Sequence, residues 1–524
     1  MRGVKCLIWI LALALVGQAA AAGKASHVVL IVWDGMRPDF VSPSNTPTLF
    51  GQARNGVTFA HHHPVYVSST EVNGTALATG MYPGQSTITA NDEFRPEIDP
   101  LGPIEMQDIK NVRKGDQLWN DHYIAYPTVA EILRAHGLST VVAGSKAVAV
   151  LHDRAARTDG ARGVTLFAGN TLPPDLKNTL VAALGKFPRA RTTAIERDQW
   201  TTRALTDVLW KEGVPAFSLL WLAEPDYSQH LDGPGAPNPL KAIKNADDAL
   251  AQVLKTLEEK KALDSTDVII LSDHGFSTVT EVIDVAATLR KLGLRVFHKF
   301  PAAEPANGDI MLVSDGGLVL IYVTGHDDRE VEQAVHCLQA QPYTGVLLTR
   351  KAVAGTFPLS ALRMDSPYSA DIVVVMRWMP SKSKYGVPGL IYCDRAYDIP
   401  NKGSHATLCP TEMHNTCVAF GPDFARGMTD SLPTGNIDIA PTILWILGVP
   451  QKQPMSGRVL SEALTIPGPA AAAAQSRREE ASWKGDGFVW RQYLDISEVN
   501  GVTYFDQGNG SQETPGEPKA SSRN

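Results

Sequence analysis

The chain has 524 residues, 44% hydrophobic and 20% charged, with a formal net charge of -7 and a pI of about 6.1. That is ordinary globular composition, long enough to bury a large core without needing a disulfide or a metal merely to fold. The acidic balance excludes a nonspecific nucleic-acid or anionic-membrane surface, which needs clustered Lys and Arg.

Residues 1–22 read as a secretory signal: Arg2 and Lys5, an apolar run from Cys6 to Val16, then small residues up to Ala22. No later stretch is long and apolar enough to span a bilayer, so an exported protein with no transmembrane anchor after cleavage is expected, periplasmic or extracellular. Export leaves Cys337, Cys393, Cys409 and Cys417, for which an oxidising compartment permits three pairings and the spacing selects none.

Residues 27–33 (His-Val-Val-Leu-Ile-Val-Trp) are a continuous β-branched run, the signature of a strand buried on both faces in a parallel sheet. Similar runs recur at 140–143, 217–222 and 268–271. Between them, 241–260 places Ile243, Ala246, Leu250, Val253, Leu254 and Leu257 on one helical face. Alternation of this kind predicts a doubly wound, mostly parallel α/β sheet.

The middle of the chain differs. Residues 311–313 and 318–323 flank Ser314-Asp-Gly-Gly317, a hairpin pattern, followed by a helix over 328–339 and strands at 346–349 and 371–377. These mark a smaller α+β insertion over 277–398 within a catalytic domain of 23–467. Residues 468–483 read as a linker and 484–507 as a C-terminal β-hairpin turning at Asn500-Gly501. The polar stretch 508–524 reads as a disordered tail.

Four segments carry chemistry. Asp34 ends the first strand; Ser69-Thr-Glu-Val-Asn73 leads to Thr79-Gly-Met-Tyr-Pro83; Glu224-Pro-Asp-Tyr-Ser-Gln-His230 and Ser272-Asp-His-Gly-Phe276 follow later strands. Each alone is a turn or a solvated pair. Ligands of open α/β sheets bind outside the carboxyl ends of the strands, which would bring Asp34, Asp226, His230, Asp273 and His274 together.

In this order the segments resemble the alkaline phosphatase superfamily, most closely its type I phosphodiesterase/nucleotide pyrophosphatase branch, over about residues 27–450. The family's post-strand aspartate matches Asp34, its nucleophile motif matches Thr70 and Asn73, its D-x-x-x-H matches Asp226 and His230, its D-H-G matches Asp273-His-Gly275, and its late histidine matches His405. The glycine that follows that histidine in the family is here Ala406. No C/S-x-P-x-R motif occurs, which excludes a sulfatase.

The resemblance implies two zinc ions. One would lie on Asp226, His230 and His405, the other on Asp34, Asp273, His274 and Thr70, with Thr70 as nucleophile and Asn73 binding the substrate phosphate. Lys146, at the end of the strand over 138–143, is expected to contact substrate. The expected partner is a small phosphate ester: a phosphodiester or nucleotide pyrophosphate cleaved through a phosphothreonine. A phosphomonoesterase or phosphonoacetate-hydrolase-like C–P hydrolase on the same metals is the alternative, as is an inactive binding relative. His61-His-His63 alternates faces along one strand and is not read as a metal site, and His414 stands as a second choice for the late histidine. Asp92, Glu93 and Asp121 read as solvated loop residues.

Overall fold

The first β-branched run becomes the strand His27–Trp33, buried from Val28 onward. It pairs in parallel with Phe217–Leu222 on one side and Thr266–Leu271 on the other, so its side chains face core on both surfaces. This computed structural model describes residues 23–155, 163–394 and 399–513; the expected signal segment lies outside the described residues.

These three strands are the centre of a nine-stranded sheet. Beyond Phe217–Leu222 lie Thr140–Gly144, Gly163–Phe167 and Asn170–Leu172; beyond Thr266–Leu271 lie Cys417–Phe420, Val57–His63 and Met428–Gly435. Cys417–Phe420 and Asn170–Leu172 run antiparallel to their neighbours, and the remaining pairs are parallel. The expected doubly wound α/β sheet is therefore present. Pro237–Glu259 covers one face with Ile243, Ala246, Leu250, Val253 and Leu257; on the other, Ile439–Ile446 packs against Val28, Leu30 and Val32. Among the described residues, no helix is long and apolar enough to cross a membrane.

The stretch read as an insertion forms two more sheets. One has six strands, from Val296–Phe297 to Phe357–Pro358, packed by the helices Val285–Arg290 and Asp328–Gln339. The other has four strands and includes Ser277–Ile283 and Gly403–Ser404, whose antiparallel pairing brings the late histidine loop beside the Asp273 loop.

The C-terminal region departs from the sequence reading. Residues 468–483, expected as a linker, contain the strand Gln475–Lys484, which makes the hairpin Val489–Val499/Val502–Glu513 a three-stranded sheet. This edge strand is polar from Gln475 to Glu480, and only Ala481 and Trp483 near its end are apolar, too few to mark a strand. Cross-strand charges secure it: Arg478 grips Asp495 at 2.6 and 2.7 Å and Arg477 reaches Glu498 at 3.2 Å. The expected disordered tail also starts too early, because the last strand continues to Glu513. Gly508 and Gly510 suggested disorder, but they let the strand pass close to Leu494 and over Trp490 and the Gly345 carbonyl, where a Cβ would collide. Residues 514–524 lie outside the described residues.

This sheet is not peripheral. Leu494, Ile496, Val502, Tyr504 and Phe505 share a buried cluster with Val65, Tyr66, Val67 and Val72, the residues flanking Thr70.

A candidate two-metal centre at the carboxyl ends of the strands

Asp34 follows the first strand, and its Oδ2 accepts from the Trp221 indole N–H at 2.8 Å. Gly35 then turns at φ +69°, where a Cβ would meet Phe276 and Asp226, and its N–H donates to Asp273 Oδ1 at 3.0 Å. The Asp226 N–H donates to the Asp34 carbonyl at 2.9 Å. Three loops are thus stitched by backbone N–H donors, one reaching a carbonyl and one a carboxylate. Asp226 opens the helix Asp226–Asp232, and His230, one turn on, shares its face.

Two triads result. Asp226, His230 and His405 offer ligand atoms within 4.8 Å of one another, and so do Asp34, Asp273 and His274. His230 Nε2 lies 3.4 Å and His405 Nε2 3.7 Å from Asp226 Oδ1; His274 Nε2 lies 3.3 Å from Asp273 Oδ2 and 3.7 Å from Asp34 Oδ1. The His274 and His405 rings stack at 4.0 Å, so the triads adjoin. Thr70, the first residue of the helix Thr70–Thr79, has its Oγ1 3.4 Å from His274 Nε2. The Lys146 ammonium sits among them, 2.9 Å from Asp34 Oδ2, 3.0 Å from Asp226 Oδ2 and 3.2 Å from Thr70 Oγ1.

The donor set fits divalent metal on this geometry. Each carboxylate has one anchored oxygen and one that is buried without a hydrogen-bond partner: Asp34 Oδ1, Asp226 Oδ1 and Asp273 Oδ2. Each imidazole directs Nδ1 at a backbone carbonyl, His230 at Gly403, His274 at Gly275 and His405 at Ser68, which turns Nε2 toward those oxygens. Burial pushes His274 and His405 below the usual histidine range, His405 further because His274 and His230 adjoin it; both are held neutral, as ligation requires.

Charge points the same way. Burial, reinforced by Asp273, raises Asp34 well above the carboxylate range, and burial pushes Asp273 up to about 7. Against burial, Lys146 and then His230 hold Asp226 well below it. Burial also opposes the Lys146 charge, but Asp226 and Asp34 keep it an ammonium. One cation does not neutralise three buried carboxylates, and two nitrogen-and-oxygen triads are suited to zinc.

Asn73 departs from expectation. Its Nδ2 donates to the carbonyls of Val67, Ser69 and Val65 at 2.9, 3.1 and 3.3 Å, and its Oδ1 accepts from Val65 N–H and Asn436. It is fully buried and shapes the loop before Thr70, with no donor left for a phosphate. Sequence reasoning passed over Asn91, which lines the cavity beside the triads and accepts from the Glu71 N–H at 3.0 Å. Nothing local marks Asn91; only the fold lays its loop over the start of the Thr70 helix.

Two residues before Thr70, the Ser68 hydroxyl is turned away from the triads, donating to the Thr407 carbonyl and to Glu412. His414 lies with His63, away from the triads. Glu93, expected to be solvated, is fully buried against Arg95 at 2.8 Å, and Asp92 lines the cavity. Ala406 takes φ +77°, so the loop keeps a left-handed turn without the family's glycine.

The cavity has a volume of about 680 Å³ and is bordered by His230 and His405. Among its described lining residues, Glu71, Asp92, Glu105 and Asp315 outnumber Lys402.

Known proteins agree with this architecture. Residues 28–382 match the family described as type I phosphodiesterase / nucleotide pyrophosphatase. Human ectonucleotide pyrophosphatase/phosphodiesterase family member 7 is 23% identical over 315 residues, 57% of this chain and 58% of that protein. Mouse bis(5'-adenosyl)-triphosphatase enpp4 is 20% identical over 446 residues, 84% of this chain and 82% of that protein. Murine ectonucleotide pyrophosphatase / phosphodiesterase 5 has a similar fold, with a TM-score of 0.59 and 17% identity over 84% of this chain and 100% of that one. An inactive threonine-to-alanine form of that murine protein, solved in complex with AMP, has a TM-score of 0.58. The family match spans well over half of the sequence, and the chain belongs to the type I phosphodiesterase / nucleotide pyrophosphatase family, a branch of the alkaline phosphatase superfamily.

Proposed function

We propose that this chain is an exported, two-zinc phosphoesterase that cleaves phosphodiester or nucleotide pyrophosphate bonds through a phosphothreonine at Thr70. The observation that carries this reading is a pair of adjoining ligand triads, one of which meets the Thr70 hydroxyl through His274. Bound on Asp226/His230/His405 and on Asp34/Asp273/His274 with Thr70, two zinc ions would supply Lewis acidity to the attacking and leaving oxygens of an in-line displacement.

The protein's own groups do the rest. Lys146 donates to Thr70 Oγ1 and so favours its deprotonated form, the stronger nucleophile. Thr70 opens a helix, whose first amides and dipole favour the anionic phosphate. Asn91, its Oδ1 engaged by Glu71 N–H, presents its amide donor to the same cavity. Thr70 Oγ attacks phosphorus, the leaving group departs on the Asp226/His230/His405 side, and water then hydrolyses the phosphothreonine.

The acidic cavity rim favours a diester over a monoester, because each extra negative oxygen is repelled there. The murine relative bound to AMP supports a nucleotide product. The test is hydrolysis of bis-p-nitrophenyl phosphate by zinc-loaded protein. Thr70→Ala should lower kcat by about 10³-fold or more while zinc is retained. Acid-quenched wild type should carry a p-nitrophenyl phosphoryl group on Thr70, one p-nitrophenolate having left. Near-normal turnover in the variant would remove Thr70 as nucleophile.

A further inference from the structure

A third group of metal-ligand side chains shares no residue with the two triads. His63 ends the strand Val57–His63, His414 follows the short helix Pro410–Met413, and Asp506 lies on the last strand of the C-terminal sheet. One ligand atom from each falls within 4.8 Å of the others. The His63 and His414 rings are 4.6 Å apart, and the His61 ring is 6.3 Å from that of His414.

The polar contacts of His63 point to a cation. Its Nδ1 faces the Thr434 carbonyl at 3.0 Å, and its Nε2 faces Asp506 Oδ1 at 3.1 Å. Both partners accept hydrogen bonds only, and a neutral imidazole carries one proton. With that proton on the carbonyl, the Nε2 lone pair faces a carboxylate oxygen at 3.1 Å, the arrangement in which a metal ion between the two relieves the clash of lone pairs. His230, His274 and His405 show the same orientation, Nδ1 on a backbone carbonyl and Nε2 toward an aspartate. The Asp506 carboxylate is steered in turn, its Oδ2 accepting from Ser497 Oγ at 2.9 Å.

The geometry points to a separate zinc site on His63, His414 and Asp506 that clips the C-terminal sheet to the main sheet. Two imidazole nitrogens and a carboxylate oxygen are a zinc donor set, with a fourth position on the His61 side for water or that imidazole. The clip is structural. It joins segments far apart in the chain, and the sheet it fastens backs the loop before Thr70. It stands independently of the phosphoesterase reading.

The experiment compares zinc per chain by atomic emission in wild type, Asp506→Asn and His414→Ala after identical loading. Each variant should carry one equivalent less than wild type, and Asp506→Asn should hydrolyse bis-p-nitrophenyl phosphate within about 2-fold of wild type. Equal zinc in all three proteins would overturn the clip, with the phosphoesterase reading untouched. Should the variants not fold, wild-type crystals grown with zinc decide. A zinc-edge anomalous peak between the three side chains supports the clip, and its absence there, beside peaks at the two triads, refutes it.

Discussion

Tyr82 offers a sharp test of how far the C-terminal sheet supports the catalytic domain. Its hydroxyl donates to the Thr503 carbonyl at 2.7 Å and accepts from the Thr503 N–H at 2.8 Å, closing an edge of the last strand. Tyr82→Phe removes both bonds and almost nothing else. Thr503 is 3% exposed, so water does not replace the lost partner. Each unsatisfied buried group costs about 1–3 kcal/mol, giving a loss of about 2–6 kcal/mol for the two. Unfolding entropy of about 2.1 cal/mol/K per residue amounts to roughly 1 kcal/mol/K for a chain of this size, so Tm should fall by about 2–6 °C. Thermal unfolding in zinc-containing buffer measures the shift, and bis-p-nitrophenyl phosphate turnover at 25 °C should change less than about 3-fold, since Tyr82 touches neither triad. A Tm within about 0.5 °C of wild type would show that the tyrosine does not hold the strand.

Two further expectations concern the site. Lys146→Ala removes a charge-assisted bond to Thr70 worth about 1.5–3 kcal/mol, so diester turnover should drop about 10- to 150-fold and monoester turnover further; equal drops would mean that Lys146 serves the nucleophile alone. In metal-stripped protein, burial pushes Asp273 up to about 7, above its unfolded value, so the folded state binds the extra proton and this contribution to stability is lost as pH rises from about 4 through 7. Tm of stripped wild type should therefore decline more between pH 5 and pH 8 than that of Asp273→Asn, and parallel declines would contradict the assignment.

Legibility followed the physics of burial. Asp34 and Asp273 could be placed because each follows a strand buried on both faces, whose apolar run is visible in the sequence. Asp226 and His230 were readable as a pair because i,i+4 spacing survives on a helix. Lys146 was found by the same strand-end rule. The motif match put Asn73 next to the nucleophile but could not show its partners, and three loop carbonyls claim its amide. Asn91 and the Glu93–Arg95 pair depend on how loops cross other elements, which leaves no local pattern. The strand Gln475–Lys484 escaped because a solvated edge held by ion pairs resembles a polar linker.

The order of strands in the main sheet also governs when the site can exist. Val28 sits between Phe217 and Asp267, and His405, the last residue of the two triads in sequence, arrives only after both of those strands and the insertion have been made. Pairings this distant in sequence close slowly, because chain entropy is lost before contacts compensate it. A chain emerging N-terminus first therefore passes through a long interval in which Asp34 and Thr70 are present without their partners. On the proposed two-metal reading, metal capture is a late event, because the two triads are not both complete before the chain through His405 has folded.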